Sequence, residues 1–446
     1  MAEVAAENHA ALRGMSGHPL PVRLQRRDYG LVVAWTLLFL IAYAGLMTAH
    51  VLLDPGIQWV LPWKLAGISV LLVFAAQRGH YALVLGLASM AYLLQDFPLY
   101  GLCFVMVSAV CYTSLHYAGK WGPGLFWGAL VLLVIVAPKC LTLLHGHKTG
   151  RPDWYIDVAS TGLFLRYAYY YYEWRRGMWE RPDYFKHLGY IAFIPQIIAN
   201  LNYSPSQQWN GAGDYPVVFR RGLQLLGLAL LKIICFRLLL HFGPADSGTT
   251  PATAWLYVLL NYLKWFLWLS GGFDLCVVFC RFLGADIPPN FHYPLLATSP
   301  IEHWRRWNIF NRVLLLKFIY FPLGGSRRHR YRNVAAVFTA SAFLLNTGWL
   351  GSADPSSIYK WALPWLAYAL AQAGWVIANM EWRRRRGLDS HHQPCGFAAV
   401  AGWAATFATM AWLHVLILGQ AHPAFPGDSI LTWPDRLHLF ARGMGL

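Results

Sequence analysis

The residues best suited to chemistry lie in one run, which reads His-Trp-Arg-Arg-Trp-Asn at positions 303–308. An imidazole such as that of His303 can accept a proton as a general base, whereas the amide of Asn308 can only orient a carbonyl or a hydroxyl group. The guanidinium groups of Arg305 and Arg306 can bind a phosphate or pyrophosphate, although anchoring at a membrane surface is an equal alternative for them. The run therefore predicts a place where a reactant is oriented beside a bound anionic group.

Three more ionisable residues lie within or near apolar sequence. Asp274 interrupts an apolar stretch, where a carboxylate is costly unless it is paired or hydrogen-bonded, so a structural polar network is favoured over proton transfer. His292 lies in the loop before the 303–308 run, and His414 stands alone in the last apolar run. A structural role is the favoured interpretation of all three histidines, and His303 and His292 are the candidate bases among them.

Two of the seven cysteines, Cys276 and Cys280, are four residues apart and share a helical face. A structural zinc site needs four ligands, and no histidine or acidic residue completes that set at ligand spacing. Burial as small apolar side chains is therefore the favoured interpretation. We predict neither a metal site nor a disulfide framework.

The elements that must position these residues are apolar helices. Of the 446 residues, 57% are hydrophobic and 13% are charged, whereas a soluble domain carries about 25% charged residues. A membrane-spanning helix needs about 20 apolar residues. The apolar runs are 30–53, 66–76, 81–94, 102–115, 125–136, 223–240, 254–278, 334–350, 361–380 and 397–418. They predict an all-α, polytopic membrane helix bundle with about ten to twelve spans, some of them broken or re-entrant.

Basic residues outnumber acidic ones, and the formal net charge is +16 at pH 7. They lie at the ends of apolar runs, as the positive-inside bias requires, and the many aromatic residues fit interfacial belts, so no nucleic acid partner is predicted. Four arginines within 13–27 precede the first span, the loop 54–58 has no Lys or Arg, and the basic clusters 327–332 and 383–386 can share one face. The N-terminus is therefore predicted to be cytoplasmic. The run 30–53 is too long for a signal peptide and is predicted to stay as an anchor.

Four regions follow from this pattern. Residues 1–29 form a cytoplasmic N-terminal segment, 30–145 form N-terminal transmembrane helices, 146–351 form a core with a cavity, and 352–446 form C-terminal transmembrane helices and a tail. Polar residues and prolines at membrane depth are tolerated only where they line a cavity or are buried in protein. We therefore expect the site between residues 146 and 351.

Short motifs follow one another in this core. They read Ser-Gly-Gly-Phe-Asp at 270–274, Asn-Phe at 290–291, Tyr-Pro-Leu-Leu-Ala-Thr-Ser at 293–299, Trp-Arg-Arg-Trp-Asn at 304–308 and Pro-Leu-Gly-Gly-Ser-Arg at 322–327. The glycine pair of the last motif predicts a tight bend. The order and spacing of the motifs resemble those of the membrane-bound O-acyltransferase (MBOAT) family. With weaker upstream matches, the resemblance covers residues from about 155 to 351.

The resemblance implies an MBOAT-type bundle whose re-entrant helices enclose a central polar cavity. It also implies an acyltransferase that moves an acyl group from a thioester donor, such as acyl-CoA, to an acceptor within or across the membrane, with no bound cofactor. Asn308 fills the first of two intramembrane positions associated with acyl transfer, where members of the family carry Asn, Asp or His. The substrate-binding residues would be Arg305, Arg306, Asp274, Trp307 and Trp349.

The same resemblance implies a multi-pass protein of the cell inner membrane, or plasma membrane. Its partners would be the lipid bilayer, the acyl donor and proteins of an envelope modification system.

The second catalytic position departs from the family pattern. A tryptophan-histidine-glycine motif is expected on the next helix, but the sequence has Trp349-Leu350-Gly351, and leucine cannot carry a proton. Three interpretations stay open. The base lies elsewhere, with His303 and His292 as candidates; the acceptor is a thiol or an amine, which needs little base assistance; or the chain is an inactive MBOAT-fold scaffold in an envelope or secretion complex.

A transporter is a further alternative, because broken helices and polar groups at membrane depth also suit transport. Transporters of this kind are built from inverted halves. No such symmetry is visible between residues 30–220 and 221–420.

Overall fold

The computed structural model describes residues 98–132, 154–177, 184–191, 215–242, 249–282, 286–345, 363–389, 394–418 and 433–445, with the single positions 30, 34, 86, 87, 90 and 203. Every regular element in these ranges is helical, which confirms the predicted all-α class. The α-helices of the described ranges are α1 Pro98–Tyr117, α2 Gly122–Val131, α3 Trp154–Arg175, α4 Tyr184–Ile191, α5 Tyr215–Phe242, α6 Pro251–Phe282, α7 Pro300–Arg306, α8 Ile309–Leu315, α9 Arg330–Leu345, α10 Leu363–Arg385, α11 Gly396–Leu413 and α12 Trp433–Gly443.

Three described helical segments are long and apolar enough to cross a membrane. They are Pro216–Phe242, Pro251–Phe282 and Gly396–Leu418, the last of which joins α11 to a π-helical turn. On the first of them, large apolar side chains such as Leu231 and Ile234 are more than half exposed, as expected for a surface that faces lipid. Several predicted spans, including 30–53, lie largely outside the described residues, so the predicted number of spans stays a prediction.

The chain divides into two compact units. The first comprises residues 1–225, 276–288 and 350–353, and the second comprises residues 226–275, 289–349 and 354–446. The segment from 289 to 345, which carries most of the sequence motifs, belongs to the second unit.

The core of the first unit is aromatic. Tyr167 and Tyr170 of α3 are buried in the same cluster as Phe126 of α2, whose ring centroid lies 5.9 Å from that of Tyr167. At the start of α2, a Cβ atom on Gly122 would lie 2.3 Å from the carbonyl oxygen of Ser114, so only glycine allows α1 and α2 to approach this closely.

Capping interactions set the start of α7 in the second unit. The hydroxyl of Ser299 accepts a hydrogen bond from the backbone N–H of Glu302 at 3.3 Å, and the carboxylate of Glu302 accepts one from the backbone N–H of Thr298 at 2.8 Å. This exchange closely resembles a capping box, and Pro300 occupies the first turn, where its missing N–H is harmless. These interactions fix the start of the short helix α7 and therefore hold residues 302–306 in place.

The Pro-Leu-Gly-Gly motif forms the tight bend that the sequence predicts. Gly324 and Gly325 have positive φ angles of 98° and 59°, which glycine adopts without strain. The side-chain amide of Asn333 in α9 donates to the carbonyl oxygens of Leu323, Gly325 and Arg328 at 3.1, 2.9 and 2.7 Å. The bend that follows the π-helical turn Leu316–Tyr320 is therefore fixed from inside by one buried side chain.

Candidate functional site

The candidate site is built around a break between two short helices. Helix α7 ends at Arg306, Trp307 is extended, and Asn308 adopts the left-handed conformation with φ 40° and ψ 63° before α8 begins. Asparagine is one of the few residue types that visit this region routinely. The side-chain oxygen of Asn308 also accepts the backbone N–H of Asn311 at 3.3 Å, which caps α8.

A second asparagine, Asn290, lies in the preceding loop and forms hydrogen bonds with residues at and just after this break. Asn290 is fully buried. Its backbone carbonyl accepts from the N–H of Ile309 at 2.8 Å, and its side-chain oxygen accepts from the N–H of Phe310 at 3.1 Å. Because that oxygen is occupied, the amide nitrogen of Asn290 faces Asn308 and donates to its Oδ1 atom at 3.2 Å.

These contacts fix the orientation of the Asn308 amide. Its Oδ1 atom accepts two hydrogen bonds, one from Asn290 and one from Asn311, so the two N–H groups on Nδ2 must point elsewhere. Among the described residues, none accepts a hydrogen bond from Nδ2, and the residue is half-buried. Asn308 can therefore donate to the oxygen of a bound carbonyl or hydroxyl group.

A stack of aromatic rings lies beside the break. The imidazole of His303 stacks on Trp307, with centroids 5.3 Å apart and planes at 22°, and Trp307 stacks on Trp265 of α6 at 5.3 Å and 18°. The ring of His414 lies 4.3 Å from that of Trp265. Two buried histidines therefore flank a pair of tryptophans that adjoins Asn308.

His303 is held as a neutral imidazole. Its Nδ1 atom lies 3.1 Å from the carbonyl oxygen of Pro294, and because a carbonyl only accepts, Nδ1 carries the proton and Nε2 carries the lone pair. Burial lowers the pKa of His303 to about 4, since the charged form is poorly solvated there. His303 is thus a buried proton acceptor with a fixed tautomer at neutral pH.

His414 was treated by the sequence analysis as a lone structural histidine, and the structure places it in this aromatic group. It is buried, with its ring centroid 5.7 Å from that of Tyr262 and 6.4 Å from that of Tyr368. It also begins the π-helical turn His414–Leu418, a geometry that is common at functional sites. The contact joins distant parts of the chain, so no local sequence signal pointed to it.

The two arginines of the motif have different surroundings. Arg306 pairs with the carboxylate of Glu302, and it also donates to the carbonyl oxygen of Tyr293 at 3.4 Å. Arg305 lies within electrostatic reach of Arg383, and burial together with that like charge lowers the pKa of Arg305. Arg306 is therefore paired with a carboxylate, and Arg305 lies within electrostatic reach of the cation Arg383 and of the carboxylates of Glu302 and Asp389.

Asp274 is engaged in an ion pair. Its carboxylate is buried and lies 2.5 Å from the ammonium group of Lys232, which joins α6 to α5. The Lys232 ammonium also lies 5.9 Å from the ring centroid of Phe266. The paired state predicted for this carboxylate is confirmed, and its contribution to substrate binding stays a prediction.

The remaining predicted site residues are placed as follows. His292 has an exposed side chain, while its backbone N–H donates to the carbonyl oxygen of Arg306 at 2.9 Å. Trp349 and Leu350 lie outside the described residues. The structure therefore brings Asn308, Trp307 and His303 together, and it leaves the imidazole of His292 at the surface.

The second unit also contains polar atoms that are buried without a hydrogen-bond partner among the described residues. They include the hydroxyls of Tyr262 and Ser270, the amide nitrogen of Asn261 and the side-chain oxygen of Asn311. Buried polar groups are normally satisfied, and at membrane depth an unsatisfied one is costly, so such atoms indicate room for water or a ligand. The sequence analysis placed Asn290 and Ser270 in motifs without assigning them to the site, and it did not single out Asn261, Tyr262 or Asn311.

Comparisons with known proteins give partial matches, and no family model matches the chain. A peptidoglycan O-acetyltransferase of Helicobacter pylori is 29% identical over 176 residues, which cover 36% of this chain and 33% of that protein. A probable alginate O-acetylase, AlgI, of Azotobacter vinelandii is 28% identical over 160 residues, covering 31% of this chain and 32% of the relative. A probable long-chain-alcohol O-fatty-acyltransferase 3 of Arabidopsis thaliana is 32% identical over 124 residues, which cover 27% of this chain and 35% of that protein.

Each match spans about a third of the relative's length. The three relatives are MBOAT proteins, and the helical fold and the membrane-crossing helices described above agree with that similarity. The chain is therefore an integral membrane protein that is similar, over about a third of its length, to members of the membrane-bound O-acyltransferase family, and Leu350 stands where the resemblance would place a histidine.

Proposed function

We propose that this protein is a membrane acyltransferase that moves an acyl group from a thioester donor, such as acyl-CoA, to a hydroxyl group of an acceptor. One observation carries the proposal: two hydrogen bonds hold the oxygen of the Asn308 amide, while none of the described residues accepts from its N–H groups. The names of the relatives support a hydroxyl acceptor, since all three describe O-acylation, of peptidoglycan, of alginate or of a long-chain alcohol.

In the proposed reaction, the acceptor oxygen attacks the thioester carbonyl and forms a tetrahedral intermediate with a negatively charged oxygen. The Nδ2 atom of Asn308 donates to that oxygen, and a single donor of this kind contributes about 10²–10³ in rate. The carbon–sulfur bond then breaks, the carbonyl re-forms, and the leaving thiolate takes up the proton that the general base removed from the acceptor. Asn290 acts as a positioning residue, because it holds the oxygen of the Asn308 amide.

The proton of the acceptor hydroxyl goes to Nε2 of His303 in this proposal. The carbonyl of Pro294 fixes the tautomer that leaves this lone pair available. Burial keeps the ring neutral at pH 7, which preserves the lone pair. A general base contributes about 10²–10⁴ in rate. His303 would thereby supply the imidazole that Leu350 cannot supply.

We further propose that the protein resides in the plasma membrane with a cytoplasmic N-terminus. The basic clusters 327–332 and 383–386 support this orientation, because basic residues accumulate on the cytoplasmic side. The thioester donor would then approach from the cytoplasm, and proteins of an envelope modification system would receive or present the acceptor.

The decisive experiment measures acyl transfer by the purified protein in nanodiscs, with radiolabelled acetyl-CoA and with peptidoglycan fragments, alginate or a long-chain alcohol as acceptor. We expect Asn308→Gly to lower turnover by about 10²–10³, while it retains the left-handed backbone that glycine tolerates. Asn308→His, which keeps an N–H donor, is expected to retain more turnover than Asn308→Gly.

Gln224→Ala serves as the control, because it removes an exposed amide outside the site. A thermal unfolding curve for each variant separates lost chemistry from lost folding. If no acceptor is acylated by the wild-type protein, and Asn308→Gly complements a deletion strain fully, the protein is an inactive scaffold of this family and the proposed chemistry is wrong.

A further inference from the structure

Helix α12 is fixed against the end of the membrane-crossing segment Gly396–Leu418. The guanidinium of Arg436 donates to the backbone carbonyls of Leu416 and Ile417 at 3.4 and 3.2 Å. These carbonyls lie in the last turn of the segment, where carbonyl groups lack a partner within the helix. Because Arg436 is buried, these hydrogen bonds tie α12 firmly to the second unit.

The C-terminal end of α12 packs against two tryptophans of the same unit. The indole N–H of Trp255 in α6 donates to the backbone carbonyl of Gly443 at 2.9 Å. A Cβ atom on Gly443 would lie 2.6 Å from the indole ring of Trp412 in α11, so glycine permits this close approach. The ring of Phe440 meets the same indole edge-on, with centroids 5.4 Å apart. Both α6 and α11 therefore hold α12 in position.

These contacts set the depth of α12 along the membrane-crossing segment. Its partners on that segment extend from Trp412 to Ile417. Trp412 precedes the end of the segment at Leu418 by about 9 Å of helix. The apolar face of a helix bound in a bilayer interface is buried about 5–10 Å into the boundary between headgroups and acyl chains. Helix α12 therefore lies at the depth of that boundary.

One face of α12 is both apolar and exposed. Leu437, Phe440 and Met444 are 60%, 37% and 46% exposed, and their spacing of three and four residues places them on one face. Met444 continues the helix, because its N–H donates to the carbonyl of Phe440 at 3.0 Å. The exposed residues Asp435 and His438 lie on the opposite face. An apolar stripe opposite a polar face is typical of helices that bind a bilayer surface.

The neighbouring helix shows what covers this level of the unit. Leu256 follows Trp255 in α6, a helix long and apolar enough to cross the membrane, and it is more than half exposed. Because Trp255 bonds to Gly443, Leu256 lies at the level of the end of α12. A large apolar side chain exposed on a spanning helix faces lipid. Lipid therefore surrounds the second unit at the level where α12 exposes its apolar face.

We infer that α12 is an interfacial helix whose exposed residues Leu437, Phe440 and Met444 enter the headgroup–acyl boundary of one leaflet. Its polar face, with Asp435 and His438, is directed toward water. The partner of this surface is thus the lipid of the bilayer itself. The inference depends on the packing and composition of α12, and it is independent of the proposed acyl transfer.

The test uses the full-length protein in phosphatidylcholine nanodiscs, with its seven native cysteines replaced and one new cysteine introduced. A nitroxide spin label on that cysteine reports collisions with oxygen, which concentrates in hydrocarbon, and with a nickel chelate, which stays in water. We expect Leu437→Cys and Met444→Cys to collide mainly with oxygen, and His438→Cys to collide mainly with the chelate. All three side chains are exposed, so these substitutions leave the packing of α12 intact.

Two further positions calibrate the measurement. Leu231→Cys lies on the exposed apolar surface of α5 and gives the hydrocarbon reference, whereas Arg386→Cys lies in the exposed basic cluster and gives the water reference. If the labels at 437 and 444 collide with the chelate as often as the label at 438, the face lies in water and the inference is overturned. If both labels are shielded from oxygen and chelate alike, protein covers the face, which also overturns the inference.

A second measurement needs neither a label nor the removal of cysteines. Leu437→Asp should lower the midpoint of thermal unfolding in the same nanodiscs, because it places a charge in the headgroup–acyl boundary. His438→Asp is the matched control from the next position, where the new charge faces water and the midpoint should change little. Equal shifts for the two variants would contradict the assignment of the apolar face to lipid.

Discussion

At the residue scale, the amide of Asn308 has two tasks that use different atoms. Its oxygen caps α8 and accepts from Asn290, while its nitrogen, from which no described residue accepts, is proposed to donate to a ligand. A donor that is already oriented loses little rotamer freedom when it binds a reacting oxygen, which is the property that electrostatic catalysis requires. The helix break and the proposed chemistry therefore depend on the same side chain.

The pKa of His303 gives a prediction about pH. This pKa is about 4 in the folded protein and about 6.5 in an unfolded chain, so the unfolded state binds more protons between these values. The contribution of His303 to stability is therefore fully present above about pH 6.5 and is lost as the pH falls toward 4. We expect wild-type thermal stability to decline over this window more steeply than that of His303→Asn.

The same variant tests the proposed base. Acyl transfer by the wild-type protein should keep its rate down to about pH 5, and His303→Asn should lower the rate at every pH by about 10²–10⁴. His292→Asn, whose side chain lies at the surface, should leave the rate within about twofold of wild type. A larger loss in His292→Asn than in His303→Asn would reverse the assignment.

The sequence predicted part of the site because that part is local. Trp307, Asn308 and His303 lie within six consecutive positions, so one motif revealed all three. The Glu302–Arg306 pair also had a local signal, since residues four apart meet on a helix. The contact of His414 with Trp265 could not be predicted, because it depends on how α11 packs against α6.

At the element scale, a buried ion pair and a glycine hold α5 against α6. Lys232 and Asp274 pair across the two helices, and a Cβ atom on Gly271 would lie 3.3 Å from a side-chain carbon of Ile233. A buried ion pair is weak evidence for stability as such, because desolvation opposes the attraction. Removing only one of the two charged side chains, however, leaves the other charge buried and uncompensated.

This pair gives a prediction that a double-mutant cycle can check. Asp274→Leu and Lys232→Met should each lower the free energy of unfolding by about 3–5 kcal/mol. The double variant Lys232→Met with Asp274→Leu should recover most of that loss, because no charge is left unpaired. The measurement is thermal unfolding in detergent for all four proteins, followed by acyl transfer. Simple addition of the single losses in the double variant would contradict the prediction.

The lengths of the apolar runs predicted the long helices well and the short ones poorly. The run 223–240 lies within α5 and the run 254–278 lies within α6. The bounds of α7 and α8 depend instead on a cap at Ser299 and a left-handed residue at Asn308, which hydropathy does not register. Short helices between long spans are therefore set by polar side chains.

At the scale of the whole molecule, the positive charge predicts an orientation in the membrane. A variant with all seven native cysteines replaced would carry one new cysteine at Arg327 or at Arg386. We expect each to react with a membrane-impermeant maleimide only after the cells are opened, because both positions are predicted to face the cytoplasm. A cysteine placed at Gly56 should react in intact cells. Labelling of Arg327→Cys in intact cells would contradict the proposed orientation.

The left-handed backbone at Asn308 restricts which substitutions evolution can sample there, independently of catalysis. Away from glycine, positive φ angles are adopted most readily by Asn, Asp and His, and these are the residue types that the family resemblance places at this position. The residue types that tolerate this backbone conformation therefore overlap with those whose side chains could take part in the chemistry. A valine or isoleucine would be rejected at this position by the local fold before any substrate could be encountered.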